Sequence, residues 1–280
     1  ASSGVAFATQ PTLRLLDAGG NAVTQSGVAV TASIATGAGT LGGTTTVNTS
    51  FAMGAQNSAA NAATTVNSAL STLNISAGSL VLAGSTNLIM GATTLDAQNA
   101  ATASINITGT GILTVGGNIQ YTNGLGTETN TITLDGGTLD MTSGNIGATG
   151  ALITFNAQAG TLRNLAQLNG GGVLTKSTTG TLLLDTANTF TGGVTIAATG
   201  GKVIAGHDNA LGTGTVTLGG QAATLELANG ITIANAMAVA ASGNFKIIQL
   251  QSGAISATYS GNITNSEDVS ANFDLITGVG

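Results

Sequence analysis

Short apolar pulses recur in this chain at a near-constant interval, and that interval restricts the fold more than any other feature. At Gly137, Gly160, Gly180, Gly201 and Ala223 a small residue precedes the segments TL, TL, TL, KV and TL, and these starts are almost evenly spaced. Between them lie ITL at 132–134, ITF at 153–155, VTI at 194–196, VTL at 216–218 and ITI at 231–233. Each pulse carries Val, Ile, Leu or Thr at period two and is bounded by Gly, Asn or Asp, the pattern of a short strand between turns. A repeat of about 20 to 25 residues holding two or three such strands corresponds to one coil of a parallel β-helix. In that fold each strand pairs with its equivalent one coil away, at about 4.8 Å, so inward Val, Ile and Leu stack in ladders.

Looser versions of the pattern run back through Gly78-Ser79-Leu80, NLIM at 87–90, INIT at 105–108 and Gly111-Ile112-Leu113, and forward through FKIIQL at 245–250. The predicted architecture is all-β: a right-handed parallel β-helix over residues 73–280, roughly nine coils and roughly 45 Å of axis. Its predicted core includes Leu139, Leu162, Leu182, Val203 and Leu225.

Composition fixes what covers such a core. Only 6% of residues are charged and 3% aromatic, with 43 glycines and one proline, Pro11. A chain so rich in Gly, Ser and Thr risks disorder. Here 42% hydrophobic residues and a mean hydropathy of +0.38 supply a packed interior. No charge falls between Asp17 and Asp96, yet Thr, Ser, Asn, Gln and Gly interrupt that stretch throughout. No membrane span of about 18 to 20 apolar residues results. The solvated surface is therefore made of hydroxyls and amides. With little charge to repel its own copies, such a surface favours self-association. A net charge of −6, with Arg14, Arg163, Lys176, Lys202 and Lys246 scattered, argues against nucleic acid. The absence of cysteine rules out disulfides and thiolate metal sites and suits export from a bacterium. Residue 1 is not Met and no basic leader with an apolar core follows, as in a mature chain whose export signal has been removed.

Residues 173–227 carry Gly180-Thr181-Leu182 with Leu184, then NTFTGGVTI at 188–196, then ALGTGTVTL at 210–218. This order of blocks resembles the autotransporter-associated β-strand repeat, over about a fifth of the chain. The resemblance implies a right-handed parallel β-helix in a secreted or surface protein, with no catalytic residues to carry over. No outer-membrane barrel sequence follows Gly280, so the resemblance does not extend to self-translocation.

The N-terminal segment, residues 1–50, differs. Phe7-Ala8-Thr9-Gln10-Pro11, Leu16-Asp17-Ala18-Gly19-Gly20-Asn21-Ala22-Val23, VAVTASI at 28–34 and GAGTLGGTTTV at 37–47 resemble part of a bacterial immunoglobulin-like repeat. Asp17 to Asn21 would make its hairpin turn. Residues 51–72 place Ala59, Ala62, Ala63, Val66, Ala69 and Leu70, followed by Leu73, at helical spacing, which predicts a capping helix or a linker.

Few residues suggest chemistry. The only histidine, His207, lies beside Asp208 in a predicted turn. Gly37 to Gly42 matches GxGxxG, but Thr44 to Val47 reads as a strand where a dinucleotide site needs a helix. Asp135, Asp140 and Asp185 are the carboxylates that neighbouring coils could pair, as glycoside hydrolysis requires. Few aromatics accompany them to stack on sugars, and turns explain the acids. Asn48, Asn74, Asn106 and Asn262 each begin an Asn-x-Ser/Thr sequon, making them candidate glycan acceptors on a hydroxyl-rich surface. Phe273, Leu275 and Ile276 form a strand-like segment suited to pairing with another chain.

The expectation is a non-catalytic, extracellular or cell-surface structural protein with no cofactor. It would polymerise head-to-tail through β-strand contacts between its partial N-terminal sheet and its far end. An adhesin passenger is the alternative, and a polysaccharide-active enzyme the third.

Overall fold

The computed structural model describes residues 44–47, 51–52, 68–91, 100–121, 123–124, 126–197, 201–240, 245–265 and 273–276, and every regular element among them is a strand. Period-two sequence explains each one. In Ala100–Thr108, the residues Ala101, Ala103, Ile105 and Ile107 are buried while Thr102, Ser104 and Asn106 point outward. Neighbours pair in parallel with the equivalent strand one coil on, so inward residues stack on inward residues. The result is the expected parallel β-helix.

Each coil presents three faces. The first is built from Ser68–Ile75, Ala100–Thr108, the start of Thr127–Asp140, the start of Thr154–Arg163, Leu174–Lys176, Val194–Ile196, Val216–Leu218, Met237–Val239 and Ile263–Asn265. The second face begins at Thr44–Val47 and runs through Ser79–Leu82, Ile112–Val115, the ends of the two long strands, Thr181–Leu184, Lys202–Ala205, Thr224–Leu227 and Lys246–Leu250 to Phe273–Ile276. From Ser79 to Leu250 this makes about seven turns. The third face is narrow, with Leu88, Ile119, Ile146 and Leu168 stacked in register. Phe190, Leu211 and Ile233 are fully buried in the turns that follow.

Glycine shapes the corner between the first two faces. Gly136 and Gly160 hold φ of 110° and 106°, which side chains rarely adopt. A Cβ on Gly160 would also stand 2.4 Å from the carbonyl oxygen of Gly137.

Three expectations need correction. The solenoid starts earlier than residue 73: Thr44–Val47 pairs in register with Ser79–Leu82, and Phe51–Ala52 with Leu88–Ile89. Contacts accordingly divide the chain into Ala1–Leu41 and Gly42–Gly280. The immunoglobulin-like motifs upstream of Thr44, and the GxGxxG run at 37–42, lie outside the described residues. Second, Ser68–Ile75 is a strand, so Ala69, Leu70 and Leu73 of the expected helical stripe belong to the first face. The stripe's earlier positions lie outside the described residues. Third, Leu162 and Leu182 are both fully buried but do not stack on each other, because Gly160 pairs with Leu182 and Thr161 with Leu183. The shifted pairing keeps both leucines facing inward, since face alternates with period two.

Candidate functional site

Outward charge is concentrated on the second face, where it is largely neutralised. Arg163 donates to Asp185 through Nε (2.8 Å) and a second guanidinium nitrogen (2.5 Å), one coil apart. These bonds, followed by the charges of Asp185 and Asp140, raise the Arg163 pKa against the lowering effect of burial. Asp140 accepts from the Asn164 amide at 2.9 Å and the Thr142 backbone N–H at 3.0 Å. Lys202 donates to Glu226 at 2.7 Å, and Gln249 donates to the same carboxylate oxygen at 2.8 Å. Asp140 pairs across the sheet with Arg163, and Asp185 meets Arg163 from the next coil, so the guanidinium stands between the two carboxylates. Asp135 is exposed at the preceding corner. The three acids therefore converge on no shared space.

His207 keeps to its turn, its Nδ1 accepting from the Asn209 N–H at 3.0 Å, while Asp208 accepts from the Thr232 N–H at 2.7 Å. Among the described residues no group of three or more His, Cys, Asp or Glu is placed to hold a metal ion. No described helix is long and apolar enough to cross a membrane.

Sequence reasoning missed the polar groups inside. Lys176 occupies an inward position between Ala157 and Ile196 and is fully buried, as is Lys246. The Lys176 ammonium donates to the carbonyl of Thr178 and, at 2.8 Å, to its hydroxyl, which in turn donates to Gln158. Burial pulls the Lys176 pKa down to about 8, against the opposing pull of Asp135. Asparagine amides satisfy backbone groups at the corner leading into the third face. Asn87 accepts from the Asn118 N–H at 2.7 Å, and Asn118 from the Asn145 N–H at 2.8 Å. Higher up, Asn188 accepts from the Leu165 N–H and donates to the Ala210 carbonyl, each at 2.7 Å. Tyr259 donates to the Asn235 carbonyl at 2.7 Å, and burial raises its pKa. A readable signal accompanies part of this ladder: Asn-Leu at 87, Asn-Ile at 118 and 145, and Gln-Leu at 167 each open a third-face strand.

The first face is different again. Its outward residues stand in register as Thr72, Ser104, Thr131 and Thr154, then Asn74, Asn106, Thr133 and Asn156, and higher up Thr175, Thr195, Thr217, Ala238 and Thr264. Among the described outward positions of these nine strands the only charge is Asp135, in register with Thr108 at the corner where the face ends, and none carries an aromatic ring. Two sequon asparagines belong to this array: Asn74 is exposed, and Asn106 donates to it at 2.8 Å. Asn262 is exposed just before the last strand of this face, and Asn48 lies outside the described residues. Phe273–Ile276 pairs in parallel with Lys246–Leu250 on the second-face column, with Phe273 opposite Lys246, Leu275 opposite Ile248 and Ile276 opposite Gln249.

Comparison with known protein families, curated proteins and solved structures returns no match to this chain. Its likeness to the autotransporter-associated repeat thus rests on the sequence motifs alone.

Proposed function

We propose that this chain is a non-catalytic structural subunit of an extracellular bacterial surface fibre, assembling head-to-tail through β-strand contacts. The observation that carries the reading is the second-face column, which among the described residues runs from Thr44–Val47 to Phe273–Ile276 with a strand at each end. Strand edges template pairing with another chain, and main-chain hydrogen bonds supply its affinity. Because the two ends differ, their contact is heterologous and propagates as a filament unless it closes into a ring. The export-compatible, cysteine-free composition and the resemblance to autotransporter repeats support a location outside the cell. The hydrogen bond from Asn164 to Asp140 and the ion pair of Arg163 with Asp185 favour a structural role over polysaccharide cleavage.

Leu275→Lys tests the contact. It puts a cation in Phe273–Ile276 at the position paired with Ile248, while leaving the preceding turns untouched. Electron micrographs should show filaments for the parent protein and none for the variant, with thermal unfolding of the two alike. Filaments that persist in the variant, or a parent that stays monomeric at every concentration, would refute the reading.

A further inference from the structure

We infer that the first face is a lateral interface, on which a second copy of this chain lies face to face. The inference deepens the fibre reading, but it is carried by a different surface and is tested separately.

Charge is distributed very unevenly around the coil. Asp140, Arg163, Asp185, Lys202 and Glu226 all belong to the second face or its trailing corner. Apart from the exposed Asp135 at the corner that ends it, the described outward side of the first face presents hydroxyls, amides, methyls and a few large apolar groups. Leu70 is 77% exposed on its first strand, while Leu152 (60%) and Val173 (48%) lie at outward positions along its leading edge. These are three of the seven large hydrophobic residues exposed among the described ones. An interface core is depleted of charge in this way, and the same depletion makes burial of the face inexpensive.

The size is sufficient. Nine strands about 4.8 Å apart give a face about 38 Å long. It is about 26 Å wide at the eight-residue Ser68–Ile75 and about 10 Å at the three-residue strands from Leu174–Lys176 onward. That is roughly 700 Å² per copy, or roughly 1,400 Å² in total, within the range of specific interfaces. The occupant follows from the row spacing. Side chains project in rows about 4.8 Å apart, and a second copy carries rows at the same spacing, so the two interdigitate along their whole length as stacked sheets do. A sugar polymer lacks that match, and the face offers no aromatic platform for it. A two-fold contact between identical faces also closes, giving a pair rather than an open sheet.

The middle of the nine strands is Leu174–Lys176. Whether the paired solenoids run parallel or antiparallel, a two-fold contact brings outward Thr175 opposite its own copy. The test uses the full chain carrying Leu275→Lys, so that end-to-end contact is absent and its success or failure is scored separately. This protein should sediment as a dimer, and adding Thr131→Lys with Thr195→Lys should raise its dissociation constant at least tenfold. Thr114→Lys, outward on the second face, should leave it unchanged. Since the chain has no cysteine, Thr175→Cys should oxidise to a disulfide-linked dimer and Thr114→Cys should not. Circular dichroism and thermal unfolding confirm that the variants fold. A Leu275→Lys protein that stays monomeric overturns the inference, as does a dimer indifferent to Thr131→Lys with Thr195→Lys. Retention of monomers on insoluble cellulose or chitin through this face overturns it too.

Discussion

Leu182→Ala probes the ladder where it is least able to heal. Leu182 is fully buried, with Gly160 paired below it and Val203 above. Removing a buried leucine side chain costs the transfer energy of the lost methyl and methylene groups plus a cavity term, in the range of about 2.7–5.0 kcal/mol. Gly160 has no side chain to move into the void, and the backbone around it is pinned by the neighbouring turn, so relaxation is limited. The expected cost is therefore in the upper half of that range, about 4 kcal/mol. Leu183, next in sequence, is an outward residue opposite Ile204, and Leu183→Ala should cost less than about 1 kcal/mol. Urea unfolding followed by circular dichroism measures both. In a solenoid each coil contacts only its neighbours, so a weakened rung can also split the transition in two. A Leu182→Ala cost under about 1 kcal/mol, or an equal cost for Leu183→Ala, would mean that the strand is out of register by one residue and the ladder is wrongly drawn.

Other perturbations follow from the same structure. The folded pKa of Lys176 is depressed to about 8 from 10.5, so the folded state releases its proton first and stability should rise as pH increases from about 8 to 10.5. That drop corresponds to at most about 3 kcal/mol, and Lys176→Met should remove this part of the pH dependence. Arg163→Ala should cost only about 0.5–1 kcal/mol, since its side chain is 40% exposed and solvent screens the pair; a larger loss in thermal unfolding would give the bridge a greater role. Asn188→Ala leaves the buried Leu165 N–H without its acceptor and should cost about 1–3 kcal/mol, whereas a neutral result would remove the amide from the account of the corner.

What the sequence disclosed depended on coil length. The step from Leu139 to Leu162 nearly equals the step from Leu182 to Val203, and there the repeat could be read directly. The steps from Leu80 to Leu113 and from Leu113 to Leu139 are longer and unequal, because the early first-face strands have eight or nine residues in place of three. These wider coils hide the period, which is why the solenoid extends further toward the N-terminus than the repeat suggested. Ser68–Ile75 misled for a related reason. Its alanines and leucines fit a helical stripe as well as an alternating one, and pairing with Ala100–Ile107 decides between them. The offset between Leu162 and Leu182 was hidden by aligning two identical Thr-Leu pairs, whereas the corner at Gly160 sets the true register. Buried lysines give no local signal, since Lys176 looks like a surface residue until its strand is stacked. The almost uncharged outer face emerges only when Thr175, Thr195 and Thr217, each one coil from the next, are brought into one row.

The arrangement of subunits along the fibre gives the most direct test. Ten strands stack on the second face between Thr44 and Ile276, so each subunit should advance a head-to-tail filament by at least about 48 Å. Electron micrographs of the purified protein, joined to diffraction from aligned material, should show that axial repeat and a reflection at about 4.8 Å along the filament axis. Isolated rods, or filaments whose spacing of about 4.8 Å runs across their axis, would contradict it.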